Sequence, residues 1–267
     1  MLASFTQKEI VWVAIGDSIT YLNDHADETG NRVAKGYLSR VVAELPDLRY
    51  INQGHNGWTS GDIAGKIGQL KLVNADIYTV FLGTNDWWGG QPVGSTDDYK
   101  NNTGISSLFG SFRIIIDKIR QLNQEAKIIL ITPMQRNDFV YLFNAANNAY
   151  GSYKTKNGQS LEAFANAVIT IGKMENIPVI DLYHDPRLDL KHMVNFKRLK
   201  NPHTGKYVNY RYPKFTKIPF DPKNDEYPYP PTAVNITYDG LHPSDKGNEI
   251  IAEKVIKALK RLEIISF

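Results

Sequence analysis

The sequence predicts an α/β fold built on a doubly wound parallel sheet, and two observations carry that prediction. Short apolar runs rich in β-formers recur along the chain, with the length and uniform apolarity of strands buried on both faces. Between them lie segments whose apolar residues recur at helical spacing, so strand and helix alternate almost end to end. With 267 residues, 42% of them hydrophobic, the chain is long enough to bury a substantial core. The alternation predicts a single domain over residues 1–267, interrupted by one insertion.

The expected strands are residues 11–15, 49–52, 77–82, 127–132 and 178–181. The segments between them read as helices. Residues 35–45 place Leu38, Val41, Val42 and Leu45 on one face, and residues 60–69 place Ile63 and Ile67. Residues 106–122 carry Phe109, Phe112, Ile115, Ile116, Ile119 and Leu122, and residues 161–174 carry Leu161, Phe164, Ala165 and Val168. The last helix, 244–262, carries Ile250, Ile251, Val255, Ile256 and Leu259, with Ser244 as its expected N-cap just after Pro243. From about 184 to 237 the helical period is lost and prolines gather, at Pro202, Pro213, Pro219, Pro222, Pro228, Pro230 and Pro231. A structureless loop of that length is unusual in a compact domain. The stretch reads as an insertion with structure of its own, with a hairpin expected around 207–215, lying close to whatever follows it.

Composition removes several classes of function. There is no cysteine, so disulfides, thiolate chemistry and cysteine–zinc sites are excluded. The spacings of His25, His55, His184, His192 and His203 match no zinc pattern; these read as structural, with His55 the nearest to a pocket, and no metal is expected. The net charge of +3 is too small to argue for nucleic acid. No run reaches the roughly 18 apolar residues of a membrane span. The first residues lack the basic flank and apolar stretch of a signal peptide, which leaves a secreted or periplasmic location open if such a segment was removed. Charge is unevenly placed. Residues 191–217 hold eight basic side chains and no acidic one, interleaved with aromatics, so the remainder carries about −5. That run suits either a solvated loop or the steering of an anionic partner such as an acidic glycan.

Chemistry concentrates in short peptides that follow strands. Ser18, in Gly16-Asp17-Ser18-Ile19, stands just past the first strand. In open α/β sheets, ligands bind outside the carboxyl ends of strands at the switch point. For a strand order of 2-1-3-4-5, Ser18 lies on one side of that crevice and Gly83-Thr84-Asn85-Asp86 on the other. A serine hydroxyl needs a base to become a nucleophile, and an imidazole, ordinarily titrating near neutrality, suits the task. Asp239-Gly240-Leu241-His242-Pro243 supplies one: the three-residue spacing lets Asp239 fold back onto His242 and fix its tautomer. An oxyanion hole would come from the backbone N–H of Ser18, the backbone N–H of Gly57 and the side-chain amide of Asn85. Each piece has a plainer reading as a cap, a turn or an Asx-turn.

Taken together these peptides resemble the SGNH, or GDSL-type, hydrolase family. Gly16-Asp17-Ser18-Ile19 resembles the nucleophile block, with isoleucine in place of the usual leucine. Residues 52–59, with Gly57, resemble the block of the oxyanion glycine. Gly83-Thr84-Asn85-Asp86 is similar to the asparagine block, and Asp239–His242 to the block of acid and base. The four occur in the family's order over most of the chain. The resemblance implies a flavodoxin-like three-layer α/β/α sandwich with a five-stranded parallel sheet. It also implies ester hydrolysis through an acyl-serine intermediate, with neither metal nor organic cofactor. Trp58, where many relatives carry a small or acidic residue, and the basic insertion depart from the family pattern.

Asp17, Trp58, Trp87 and Trp88 flank the candidate reactive groups and are expected at the substrate pocket, where indole faces suit a sugar ring or an acyl chain. Small acyl groups, such as acetyl, on a carbohydrate are the expected substrate. An acyltransferase using the same three residues is an alternative. A non-catalytic glycan- or phosphate-binding module is a third reading, weakened by the absence of a glycine-rich phosphate loop.

Overall fold

The computed structural model describes residues 9–262. Its centre is a five-stranded sheet of β1 (Ile10–Gly16), β2 (Leu48–Gly54), β3 (Ile77–Phe81), β4 (Lys127–Ile131) and β7 (Val179–Ile180), every neighbouring pair parallel, in the spatial order β2-β1-β3-β4-β7. Counting only the strands of this sheet, that is the order 2-1-3-4-5. Two further strand pairs are separate hairpins: β5 (Phe139–Tyr141) with β6 (Asn144–Ala149), and β8 (Lys197–Lys200) with β9 (Tyr207–Tyr210).

The sheet is apolar on both faces because its strands alternate between two cores. Val13, Ile15, Tyr78, Val80 and Leu130 point to one side. They pack there against α3 (Ser60–Gly65), α6 (Leu108–Leu122) and α7 (Leu161–Glu175). Trp12, Ala14, Phe81, Ile129 and Ile131 point to the other, against α2 (Tyr37–Glu44) and α8 (Asp245–Arg261). The period of two in the strands and of 3.6 in the helices thus builds a flavodoxin-like three-layer sandwich. Helix starts are set by side-chain caps: Ser107, Ser160 and Ser244 each accept a backbone N–H, and Thr59 with Asp62 forms a full capping box. The helix expected over 60–69 stops at Gly65. Gly65 and Gly68 fall in its second half, where glycine disfavours continued helix.

The insertion also differs from expectation. Its hairpin joins 197–200 to 207–210 rather than centring on 207–215. Pro213 has no N–H to extend the ladder. The reversal occurs earlier, where Asn201 accepts from the N–H groups of His203 and Thr204 and Gly205 adopts φ +70°. The insertion closes on a small core of Val194, Leu199, Phe215, Tyr229 and Ala233, which takes in Val140 of β5. A buried ion pair, Lys197 Nζ to Asp138 at 2.9 Å, pins it beside the sheet.

At the carboxyl edge of β1 and β2, Gly16 and Gly54 pair in register, and α1 (Ser18–Tyr21) crosses directly over them. A Cβ on Gly54 would lie 2.1 Å from the backbone nitrogen of Tyr21, an atom that no rotamer change can move aside. Gly54→Ala is therefore expected to destabilise the fold by about 2–3 kcal/mol, seen as a lower urea midpoint. Gly68→Ala, whose Cβ would meet nothing within 4 Å, should leave the midpoint nearly unchanged.

Candidate active site

The tight link from β1 into α1 fixes the serine. Asp17 is the N-cap of α1, in extended conformation, and its carboxylate accepts the N–H of Ile19 at 3.0 Å. Ser18 is thereby the first residue of the helix, at the carboxyl end of β1. Its Oγ lies 2.9 Å from His242 Nε2, across 224 positions of sequence.

His242 is held from its own loop. Its Nδ1 lies 2.7 Å from Asp239 Oδ2, while Asp239 Oδ1 accepts the backbone N–H groups of Leu241 at 3.0 Å and His242 at 2.8 Å. Asp239 is 1% exposed and His242 7%. With Nδ1 donating to the carboxylate, Nε2 is left to accept the Ser18 hydroxyl proton. Gly240 sits at φ +93°, and a Cβ there would reach 2.0 Å from the Asp138 carbonyl oxygen, so the turn demands glycine. The carbonyls of Gly240 and Asp239 accept from Asn137 and Val140, which ties this loop to the segment after β4. Tyr238 stacks on the imidazole and Phe139 meets it edge-on.

Gly57 and Asn85 come to the same place from the ends of β2 and β3. Gly57 adopts φ +75°, a conformation glycine takes without strain. Asn85 belongs to the short helix α4 (Thr84–Gly89), and one amide hydrogen is donated to the Trp58 carbonyl at 3.0 Å; the amide has a second hydrogen to give. Asp86 binds the two loops together: its carboxylate accepts both the backbone N–H and the hydroxyl of Ser60. Ser18, His242, Gly57 and Asn85 all line one cavity of about 380 Å³.

Among the residues expected at the pocket, Trp88 lines this cavity; Asp17, Trp58 and Trp87 do not. Asp17 is buried beneath α1 as its cap. Trp87 is fully buried, with its indole N–H on the Gln159 carbonyl at 3.0 Å. On α4, Asn85 and Trp88 are three residues apart and share a face, whereas Trp87 is turned toward the core. Trp58 stacks on His55 with ring centroids 4.1 Å apart and lies beneath the Lys66 ammonium. His55 stays outside the cavity lining as well. In the basic run, Lys197 and Arg198 are paired with Asp138 and Glu226, so part of its charge is neutralised internally.

Several lining residues carried no signal in the sequence. Phe139, Tyr141 and Asn147 come from the β5–β6 hairpin, and Arg136 from the link before it. Asn-Ala-Ala-Asn-Asn-Ala in β6 has neither strand composition nor alternation; cross-strand pairing alone makes it a strand. Among the described residues no cluster of histidine and carboxylate groups could hold a metal ion, and no helix is long and apolar enough to cross a membrane.

The model of the GDSL-like lipase/acylhydrolase family matches residues 14–250. A crystal structure of a possible lipase from Chitinophaga pinensis superposes with a TM-score of 0.95 at 68% identity, covering 96% of this chain and 100% of that one. An acetyl xylan esterase (TM-score 0.56, 20% identity, 94% and 100% covered) has the same fold, as does a lipase/acylhydrolase from Enterococcus faecalis (TM-score 0.53, 18% identity, 94% and 95% covered). No curated protein matches the chain.

Burial raises the carboxyl pKa of Asp17 to about 6, against the opposing effects of its Ile19 hydrogen bond and of His242. A carboxyl raised on folding binds its proton more tightly in the folded state, so its contribution to stability falls as pH rises from about 4 through 6. Asparagine keeps the cap and removes the titration. Between pH 4.5 and 7, Asp17→Asn should therefore lose less stability than wild type, by roughly 1–3 kcal/mol in urea unfolding. Identical pH slopes would show that Asp17 is not raised.

Proposed function

The chain belongs to the GDSL-like lipase/acylhydrolase family, and from that premise we propose that it is a serine esterase with Ser18 as nucleophile, His242 as base and Asp239 as its orienting carboxylate. The observation that carries the reading is one unbroken line of contacts, Asp239 Oδ2 to His242 Nδ1 at 2.7 Å and His242 Nε2 to Ser18 Oγ at 2.9 Å. That line ends in the cavity that Gly57 and Asn85 share.

In the proposed reaction Ser18 Oγ attacks the ester carbonyl carbon as its proton passes to His242 Nε2. Asp239 stabilises the imidazolium, with no need to take a proton itself. The carbonyl oxygen becomes an oxyanion facing the N–H groups of Ser18 and Gly57 and the free amide hydrogen of Asn85. His242 returns the proton to the leaving alkoxide oxygen, the ester C–O bond breaks, and the acyl group remains on Ser18. A water molecule, deprotonated by His242, attacks the acyl carbon; collapse of the second oxyanion releases the acid and restores the serine.

The proposed substrates are short acyl groups, such as acetyl, on a carbohydrate. What supports this is a cavity of moderate volume with aromatic faces from Trp88 and Tyr141 beside the amides of Asn56 and Asn147 and the carboxylate of Glu28. Aromatic faces suit the C–H face of a sugar ring, and amides and carboxylates suit its hydroxyls.

Ser18→Ala is expected to lower kcat on 4-nitrophenyl acetate by about 10⁴-fold or more; equal activity in both proteins would end the esterase reading. Asn85→Ala should lower kcat by roughly 10²–10³-fold with little change in KM, the behaviour of a lost oxyanion donor. Acetylated oligosaccharides should be preferred to aryl esters of long fatty acids. A specificity that instead rises with acyl length would contradict the carbohydrate assignment.

A further inference from the structure

Arg136 lies in the link between β4 and β5, and its backbone is anchored on both sides. Its N–H donates to Ser152 Oγ at 3.0 Å, and its carbonyl accepts the Ser152 N–H at 2.8 Å. The side chain is 1% exposed and yet contributes to the lining of the cavity that holds Ser18. Its guanidinium is under-satisfied. Nη2 donates to the Tyr150 carbonyl at 3.2 Å, Nε is buried without a partner, and among the described residues no carboxylate pairs with the group.

The nearby acids are committed elsewhere. Asp138 receives Lys197, Tyr153 and the N–H of Gly151. Asp239 is taken up by the imidazole and its own loop. Glu28, the carboxylate among the lining residues, accepts from Tyr21 and Asn56. Lys197, buried to a similar degree, has a carboxylate oxygen at 2.9 Å; among the described residues Arg136 has none within ion-pair distance, and Asp239, Asp138 and Asp17 act on it only through their field. The faces of Trp87 and Trp88, each with its ring centroid 5.5 Å from the guanidinium carbon, favour the cationic form. Burial lowers its pKa to about 10, with the charges of Asp239, Asp138 and Asp17 opposing the fall, so the group carries its charge at neutral pH. Lys156 Nζ also stands 4.5 Å from the Trp88 ring centroid. A buried, charged fork with a donor unmet by protein, on the lining of a cavity, has the chemistry to bind a planar anion.

We propose that Arg136 forms an anion subsite of the Ser18 cavity and selects esters that carry a carboxylate. The proposal rests on the esterase reading for its consequence, while the subsite itself is a matter of binding. Two sources of that carboxylate fit the same chemistry, the acyl part of a dicarboxylate hemiester or the alcohol part of an acetylated uronic acid.

Two substrate pairs separate them: 4-nitrophenyl hemiglutarate against 4-nitrophenyl butanoate, and acetylated galacturonic acid against its methyl ester. In at least one pair the wild-type enzyme should favour the charged member by about tenfold or more in kcat/KM. That preference should collapse toward unity in Arg136→Gln and survive in part in Arg136→Lys. The pair that responds identifies the source. No preference in either pair with wild type overturns the proposal without any variant, so a folding failure of Arg136→Gln does not protect it. A preference that persists undiminished in Arg136→Gln overturns it as well. Should Ser18→Ala prove fully active, the esterase reading fails alone. The subsite is then decided by calorimetric titration with glutarate: binding to wild type that weakens by about tenfold or more in Arg136→Gln supports it, and equal binding or none refutes it.

Discussion

Asp239 uses both carboxylate oxygens within its own loop. One accepts two consecutive backbone N–H groups and the other accepts the imidazole of His242, and the group is almost wholly removed from water. A buried carboxylate must be satisfied in this way, since an unmet charge in the interior carries a heavy penalty. The same requirement fixes the tautomer and direction of His242, and with it the line to Ser18. The turn that makes this possible depends on Gly240 because the Asp138 carbonyl passes where a Cβ would stand. The site therefore begins with a backbone constraint near the C-terminus and reaches the N-terminal serine only through the fold.

The sheet does the rest of the positioning. β1, β2 and β3 are adjacent and parallel, so the loops that leave their carboxyl ends meet at one edge. Ser18, Gly57 and Asn85 follow those three strands. Cross-links then hold the loops to one another: Asn85 to the Trp58 carbonyl, Asp86 to Ser60, and α1 laid against Gly16 and Gly54. In the proposed reaction such rigidity would serve the stabilisation of an oxyanion, because donors already in place need no reorganisation as charge develops. Above this rigid floor the walls come from less regular structure, the β5–β6 hairpin and the segment that ends the insertion at Tyr238.

The floor was legible in the sequence and the walls largely were not. The central strands β1, β3 and β4 are buried on both faces and read as continuous apolar runs. The edge strands β2 and β7 also fall at the expected positions, although β2 is poorer in apolar residues and only partly buried. Ser18, Gly57, Asn85, Asp239 and His242 stand in short peptides whose spacing reflects local backbone geometry, so their neighbourhood could be anticipated. Trp87 and Trp88 illustrate the limit: adjacent and chemically identical, they are separated only by the rotation of one helical residue, which sends one to the core and the other to the cavity. The β5–β6 hairpin was invisible because Asn144–Ala149 has no strand propensity and is held by its partner strand. Arg136 gave no sign either, since nothing in a sequence distinguishes an arginine on the surface from one enclosed by two indoles. The insertion hairpin lies several residues earlier than expected because the chain reverses at residues 201–205, ahead of the aromatic run.

The central claim is that Ser18 is the nucleophile activated by His242. Its most direct test is mass spectrometry of the intact protein after incubation with a fluorophosphonate, followed by peptide mapping. The account requires a single adduct, on Ser18, formed in step with loss of esterase activity. An adduct on another serine that accompanies that loss, or full inactivation with Ser18 unmodified, would contradict it.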